Sequence, residues 1–483
     1  MKDFKGDLEV ELHDNLSEVS WSEAEERAVR RKLDWHLVPP LTLMYLLCFI
    51  DRTNIGNAKI QGMSKDLDLS GLNYNYALTV FYIVYILVEI PSNMALKRLG
   101  ANIWLPVLTV AFGGVCVGTA FVKTFTQLVV VRILLGITEG GMFPGTSFYL
   151  SCFYRREELL LRVGIFASSA SMAGAFGGLL ATGLTKIHSW GVPGSKLYMW
   201  RNIFFFEGLF TIFIGLMVPL MLPKSVESCK FFTDRERMIA ITRLAKENDA
   251  DDSHKVTKAD IKAAIFNINI QFCAFGFLCA NVAVQSLSLF MPTILNQMGY
   301  TPISAQLHSV PPYFLACCLA IFVAFLSDRT RQRGIFLVIF AAIAAIGYAV
   351  IMSTNNPKTK YAAIFIIAMG GFPNGPGFLS WGINSNAGSR AVASAYIMSV
   401  GTVGAVISTW TYMEKDKPGY KKGHAINLGF QIAVIALAGS CVLYCQWENK
   451  QRAAGRRDGR LVGLSDAEKR KLGYRHPDFR YIP

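Results

Sequence analysis

Apolar stretches of span length, separated by short polar segments, recur along nearly the whole chain. Crossing about 30 Å of hydrocarbon takes roughly 20 mostly apolar residues as a helix. Windows of that kind centre near Leu46, Val84, Val110, Leu135, Ser171, Phe210, Leu278, Ala316, Ile339, Ile367, Gly401 and Ala433. The pattern predicts an all-α membrane protein with 12 transmembrane helices in two six-helix bundles, because the longest polar interior stretch, Pro223 to Lys262, parts six windows from six. Two halves about a charged linker is the plan of transporters built from repeats. The expected divisions are a cytoplasmic N-terminal tail over 1–36, a first bundle over 37–222, a linker over 223–262, a second bundle over 263–447 and a cytoplasmic C-terminal tail over 448–483. Within the linker, Thr233 to Lys246 is expected to form an amphipathic helix on the membrane surface, with Asp234 near its cap; the alternative is a plain solvated linker helix.

Composition agrees with this class. The 483 residues are 52% hydrophobic and 17% charged, with mean hydropathy +0.34, too apolar for an ordinary soluble protein of this length. No cleavable signal is expected, since residues 1–36 are polar and the first apolar run is long enough to span. Ser22-x-x-Glu25 is a capping box opening a helix, SEAEERAVRRKLDW, that leads into span one. Arginines near span ends (Arg27, Arg30, Arg31, Arg98, Arg155, Arg156, Arg162, Arg329, Arg331, Arg333, Arg390) favour both termini in the cytoplasm, although lysines 415, 417, 421 and 422 oppose the rule locally. The formal charge of +14 then reports topology and contact with anionic membrane lipid, and nucleic acid is not implied.

Chemistry other than transport finds no support. The 10 cysteines show no CxxC or Cys/His spacing suited to metal and read as packing residues, Cys317-Cys318 included. The seven histidines form no cluster, and no Ser/His/Asp or phosphate-loop arrangement occurs, so neither an enzyme nor a cofactor is expected. The glycosylation pattern Asn15-Leu16-Ser17 falls in the predicted cytoplasmic tail and carries no function there.

The candidate chemistry lies in two charged pairs inside apolar spans: Asp51-Arg52 in LTLMYLLCFIDRTNIGNA, and Arg132 with Glu139 in LVVVRILLGITEGGMFPG. An ionisable group at bilayer depth costs about 2.5–3.5 kcal/mol on insertion scales, so it is kept where it faces a partner or a water-filled path. Seven residues are nearly two helical turns, which puts Arg132 and Glu139 on one face, roughly 10 Å apart along the axis. With all four ionised the group is neutral. Protonating one carboxylate leaves a net positive site that favours an anion; one proton plus one carboxylate restores neutrality and couples the two solutes. The alternative is a salt-bridge network that only fixes helix packing.

Two loops add a resemblance. PSNMALKRLGANIW after span two and FLSDRTRQRG after span eight resemble the inner-gate signature of the major facilitator superfamily, GxLaDRxGRR. The second keeps Asp328 and Arg329. The first has Lys97 in place of Asp and keeps Arg98 and Gly100, so its gate is expected to be wired differently, through Glu89 near the inner end of span two. A purely topogenic role for these charges is the alternative. DRTNIGNA, PSN with KRLGANIW, RILLGITEGGMFPG, WRNIFFFEG and RHPDFRYIP together resemble the fungal anion:cation symporter family, which holds allantoate, nicotinate and pantothenate permeases.

That resemblance implies the major facilitator fold and, by analogy with related organic-anion symporters, proton binding at Asp51 and Glu139. Arg52 would receive the substrate carboxylate and Arg132 would restrain Glu139. It implies a proton-coupled symporter importing a small organic carboxylate, such as nicotinate, allantoate or pantothenate, across the plasma membrane. An exporter of an acidic secondary metabolite and a nutrient sensor that does not transport are the alternatives. Span five, GIFASSASMAGAFGGLLATG, lacks the Gly-Pro dipeptide of drug/proton antiporters, which weighs against the exporter. Its Gly174, Gly177 and Gly178 allow a close helix contact.

The second half has no matching charges. Aligning Pro144-Gly145 of span four with Pro376-Gly377 of span ten puts Gly371 opposite Glu139 and Ile364 opposite Arg132. Substrate selection is therefore expected from Asn281, Gln285, Asn374, Trp381 and Asn384, with Tyr45 of span one as an aromatic wall; each is also read as a packing residue. GGFPNGPGFLSWG predicts a broken or kinked span ten. Glu207 in WRNIFFFEG is expected to pair with Arg201 or to be a second titrating site, the structural role being favoured.

Overall fold

The computed structural model describes residues 21–191, 196–250, 265–330, 332–384, 390–461 and 475–482. In the first half run α1 (Glu23–Ala58), α2 (Asn73–Leu99), α3 (Ala101–Thr119), α4 (Phe125–Glu139), α5 (Met142–Ser151), α6 (Arg156–Leu184) and α7 (Trp200–Met221). The linker holds α8 (Asp234–Ala250). The second half contains α9 (Ile268–Gln297), α10 (Pro302–Thr330), α11 (Arg333–Ser353), α12 (Pro357–Gly371), α13 (Asn374–Asn384), α14 (Arg390–Ser408) and α15 (Lys421–Ala453). Among the described residues the only strand-like pairing is an isolated bridge between Trp190 and Leu197.

Every predicted span centre falls within one of these helices. Among the described residues, eleven helices, counting α4 with α5 and α12 with α13 as single spans, are long and apolar enough to cross a membrane, and the apolar part of α14, Val392–Ser408, is a shorter twelfth. Bulky side chains such as Leu220, Phe325 and Leu443 are exposed on outer helix faces, as a lipid-facing surface requires.

Two local features set the geometry of the core. Span four breaks at Gly140-Gly141 and span ten at Phe372-Pro373, the positions that the sequence alignment pairs, so the break predicted for span ten is matched in span four. On α4, a Cβ at Gly136 would lie 2.7 Å from the Phe81 carbonyl oxygen, and one at Gly140 2.8 Å from that of Tyr85. Only glycine lets α4 press against α2 this closely, which fixes the height of Arg132 and Glu139 beside it.

In the first half α3 packs on α7, α1 on α6 and α2 on α4; in the second, α9 packs on α14 and α15, and α11 on α12 and α15. The halves meet where α6 lies on α10 and α1 on α9. A Cβ at Gly174 would strike the Tyr313 ring at 2.7 Å, and one at Gly178 the Gln306 carbonyl oxygen at 2.9 Å, so the small residues of span five serve the contact between halves.

The face at which α1 begins is the near face, and the opposite one the far face. The Ser22 capping box forms as expected, but its helix does not stop before the membrane: it continues past Pro39 and Pro40 as one 36-residue helix. Its first turns are tied to α6 by Arg30–Glu158 at 3.3 Å, Arg155–Glu26 at 2.9 Å and a forked Arg162–Asp34 pair at 2.9 and 2.8 Å. The linker helix begins one residue from the expected point, with Thr233 rather than Asp234 capping it: Thr233 Oγ1 accepts from the Glu236 N–H at 3.3 Å. It docks on the first half, where fully buried Arg243 donates to Glu158 at 3.2 Å and to the Phe153 carbonyl at 3.2 Å. The glycosylation pattern at 15–17 lies outside the described residues.

Candidate functional site: a buried ionic core

Asp51, Arg52, Arg132 and Glu139 are all buried, between 0% and 7% exposed. Burial of four formal charges obliges each to find a partner, and the pairing differs from the one the resemblance implies. Glu139 takes its ion pair from Arg52, whose Nε lies 2.6 Å from Oε2, and Arg132 makes no ion pair among the described residues. Cys48, one turn before Arg52 on α1, donates its thiol to the same Oε2 at 3.2 Å, while Arg52 Nη2 lies 3.4 Å from its sulfur. The guanidinium also lies over the rings of Tyr85 (4.6 Å), Phe49 (4.9 Å) and Phe81 (5.5 Å). An aromatic cage of this kind holds a cation out of water while leaving its remaining N–H groups directional.

Asp51 sits on the other side of α1. Cys116 of α3 approaches its Oδ1 at 3.2 Å and the Phe204 carbonyl oxygen of α7 at 3.3 Å, joining three helices. Glu207 does not meet Arg201: Asn54 Nδ2 donates to Glu207 Oε2, and Arg201 Nη1 donates to the Ala120 carbonyl at 2.6 Å. Six core atoms are buried without a hydrogen-bond partner among the described residues: Asp51 Oδ2, Glu139 Oε1, Arg132 Nε, Asn54 Oδ1, Asn57 Oδ1 and Glu207 Oε1. Buried polar atoms of this kind, in a core with two guanidinium groups, are ones that ordered water, a proton or an anion would satisfy.

The remaining candidates scatter. Tyr45 is buried in an aromatic stack with Phe49 at 5.1 Å, Phe166 at 5.1 Å and Phe143 at 5.5 Å, one to two turns towards the near face from Arg52. Gln285 reaches the first half, accepting from the Tyr82 hydroxyl at 3.0 Å. Asn281 donates to the Gly401 carbonyl at 2.8 Å, and Asn374 to the Gly370 carbonyl at 3.0 Å, so both amides join backbone of their own half. Trp381 is fully buried at the near-face end of α13, where its indole N–H donates to the Ile482 carbonyl at 2.7 Å. The side chains of Asn384 and Asp328 lie outside the described residues. Of the expected gate, Arg98 and Arg329 are exposed and Glu89 is half-buried; none makes an ion pair among the described residues.

Every side-chain hydrogen bond between the halves, among the described residues, lies in the far half of the molecule. Gln306 Oε1 accepts from Gln61 Nε2 at 3.1 Å and from Thr182 Oγ1 at 3.3 Å, and its Nε2 donates to the Asn57 carbonyl at 3.4 Å. Asn75 donates to the Thr409 carbonyl at 2.5 Å, and Thr79 meets the Thr409 hydroxyl at 2.7 Å. The structure is therefore latched on its far face. Sequence reading missed Cys48, Cys116, Asn54 and this latch. Cys48 stands four residues before Arg52, a helical spacing that marks a local partner; Asn54 with Glu207, Cys116 with Asp51 and the latch pair distant segments and leave no such trace.

Comparison with known proteins agrees with this architecture. The family model described as Major Facilitator Superfamily matches residues 41–409. The chain is 31% identical over 430 residues, 88% of its length and 86% of the relative's, to the MFS-type transporter efuF of Hormonema carpetanum. It is likewise 31% identical to the high-affinity nicotinic acid transporter of Saccharomyces cerevisiae, covering 95% of this chain and 85% of that one. Among solved structures, a bacterial homologue of the lysosomal transporter Spinster, inward-facing and unoccupied, superposes with a TM-score of 0.63 at 17% identity, over 88% of this chain and 97% of that one. The partially occluded inward-open xylose transporter XylE from E. coli does so with a TM-score of 0.63 at 14% identity, over 84% and 98%. Twelve spans in two halves around a polar core define a secondary transporter, and the chain belongs to the major facilitator superfamily. It is a multi-pass membrane protein and not an enzyme.

Proposed function

We propose that this transporter is a proton-coupled symporter of the fungal anion:cation symporter type, importing a small organic carboxylate of the nicotinate, allantoate or pantothenate class across the plasma membrane. Both termini, and hence the near face, lie in the cytoplasm, in keeping with the arginine distribution. The division of the chain at 37–222 and 263–447 follows the two transporting halves, and Asn281, Gln285, Asn374, Trp381 and Asn384 are retained as residues of the second side. Glu89, Arg98, Asp328 and Arg329 serve the near-face gate. The relative named for nicotinic acid transport supports a planar aromatic monoanion as the first substrate to try.

The observation that carries this reading is the 2.6 Å contact between Arg52 Nε and Glu139 Oε2. While Glu139 is ionised it occupies the guanidinium fork that a substrate carboxylate would need. A proton on Glu139 removes the competing charge, and the planar Arg52 fork is then able to donate two parallel bonds to a carboxylate. Proton and anion thus enter together, and the loaded core is neutral enough to be re-exposed on the other side. Arg132, with no ion pair of its own, holds the local potential positive on the Asp51 side. Asp51 is the second proton-binding group.

The test is uptake of radiolabelled nicotinate, and then of a carboxylate panel, by cells expressing the protein at acidic and neutral external pH. Uptake is expected to rise as the external pH falls. Glu139→Gln should lose uphill accumulation and keep exchange of substrate across the membrane. Normal uphill uptake by that variant sinks the assignment.

A further inference from the structure

The charge count of the core leaves one carboxyl with no cation. Glu139 has Arg52, and Asp51 shares its surroundings with Arg132, but Glu207 is held by the Asn54 amide alone. The charged and titratable groups that act on it are Asp51 on α1 and Cys116 on α3, and Arg132 and Glu139 of α4 act in turn on Asp51. On α6 the stretch Ser171–Leu184 contains no titratable residue. On its own helix, Arg201 is bound to the Ala120 carbonyl and stacked over Trp200 at 4.4 Å. A lone carboxylate buried this deeply is far more costly than a carboxylic acid.

A proton also explains two of the unpartnered atoms. Asn54 Nδ2 already donates to Glu207 Oε2, while Asn54 Oδ1 and Glu207 Oε1 are both buried without a partner. One proton on Oε1 turns one of these two unpartnered acceptors into a donor, able to bond a water shared with Asn54 Oδ1.

The surroundings of this pair form a line. Asn54 and Asp51 are three residues apart on α1, and Glu207 and Phe204 three apart on α7. Cys116 bridges Asp51 Oδ1 and the Phe204 carbonyl, so both carboxyls flank one contact between α1 and α7. One turn further along α1, Asn57 Oδ1 is again buried and unpartnered, and the Asn57 carbonyl lies under the Gln306 latch. Gly177 leaves the flank of this line bare: a Cβ there would sit 3.8 Å from Asn54 Oδ1 and 3.9 Å from Asn57 Nδ2. Buried polar atoms without protein partners are met by ordered water.

We propose that Asn57, Asn54 and Glu207 form a hydrated file along which protons reach Asp51 from the far face, with Glu207 as its proton-carrying member and Gln306 as its lid. The proposal rests on the proton-coupled reading and adds a route and a third proton-binding group to it. When the halves part on the far face, Gln306 leaves Asn57 and water reaches the file. The Glu207 proton passes from Oε1 through water to Asp51 Oδ2, making Asp51 neutral and Glu207 anionic, and a proton from far-face water then restores Glu207.

Infrared spectroscopy of the full chain in phosphatidylcholine vesicles tests this without a known substrate. The wild type should show a carboxylic-acid C=O stretch that Glu207→Gln removes and that shifts down on transfer to D2O. Asn57→Leu, which closes the far-face end of the file beneath Gln306, should slow that shift by about tenfold. Gly177→Ala, which adds one methyl beside Asn54 and Asn57 and asks the Thr53 hydroxyl, 3.2 Å from that Cβ, to give by a few tenths of an ångström, should slow it in the same direction even where Asn57→Leu fails to fold. A band unchanged in Glu207→Gln overturns the proposal, because Glu207 is then ionised. So does wild-type exchange in both file variants, because the route then lies elsewhere. Wild-type nicotinate and panel uptake that ignores a pH gradient would overturn the symport reading instead, and is read independently of the band.

Discussion

The two halves of this transporter have the same helical plan and opposite chemistry. In the first, α4 carries Arg132 and Glu139 beside Asp51-Arg52, and a break at Gly140-Gly141 follows directly. In the second, the break at Phe372-Pro373 follows Gly371, and Ile364 stands where Arg132 does. The polar groups there are neutral: Asn281 and Asn374 bond backbone of their own half, at Gly401 and Gly370, and Tyr412 meets His424 at 3.0 Å, while Gln285, Gln306 and Thr409 reach across to the first half. The shared break shows that the discontinuous span belongs to the architecture, whereas charges beside it occur in span four and not in span ten; the buried pair of the second half, Glu448 with Arg452, lies at the near-face end of α15. On the symport reading proposed above, proton handling is thus separable from the scaffold that moves.

Removing Arg52 should break this contrast most severely. Arg52→Ala takes away both bonds to the carboxylate, and at about 1.5–3 kcal/mol for each charged hydrogen bond the loss in uptake is on the order of a hundredfold or more. It also strands Glu139, a loss of about 3–5 kcal/mol in stability for a buried pair with one partner deleted. Arg52→Met combined with Glu139→Leu should recover most of that stability and none of the transport, read as the unfolding midpoint in detergent beside uptake. Equal destabilisation in the single and double variants would show that the pair does not hold the core.

A neutral substitution on the other side should be milder and of a different kind. Gln285→Leu removes the bond to the Tyr82 hydroxyl, by which a polar candidate of the second half reaches the first. Losing one neutral hydrogen bond of about 1 kcal/mol predicts a several-fold change in KM or in the ranking of a carboxylate panel. The dependence of uptake on external pH should stay as in the wild type. A shifted pH dependence would place proton handling in both halves and end the division proposed here.

How much of this was legible in the sequence follows from the range of each interaction. Span positions, the Ser22 capping box and the break in span ten are local properties of 20-residue windows, and all appear in the structure. The charged quartet was visible because ionisable groups are conspicuous in apolar spans. Its wiring was not: Arg52 and Glu139 are 87 residues apart, and periodicity within α4 points Glu139 along its own helix towards Arg132. The Glu207 partner was missed for a similar reason, since Arg201 is near in sequence but Asn54 is near in space. Trp381 looked like a pocket residue because it follows the broken helix, yet it faces a chain segment 101 residues away.

That segment supports the smallest of the expected effects on transport and the sharpest check on where the substrate path ends. Residues 475–482 lie under α15 and α13, with Asn449 exchanging two hydrogen bonds with Tyr481 at 2.8 and 2.9 Å. Arg452 donates to the His476 carbonyl at 3.2 Å and the Phe479 carbonyl at 2.8 Å, while Glu448 holds Arg452 at 3.1 Å and Arg457 at 2.7 Å. Asn449→Ala removes two bonds of this clasp and should cost about 1–2 kcal/mol, seen as a modest drop in the unfolding midpoint. If Trp381 serves the clasp, the variant should keep the wild-type ranking of carboxylates, because nothing it releases faces Arg52. A changed ranking with unchanged stability would return Trp381 to the substrate path and extend the selecting surface of the second half to the near face.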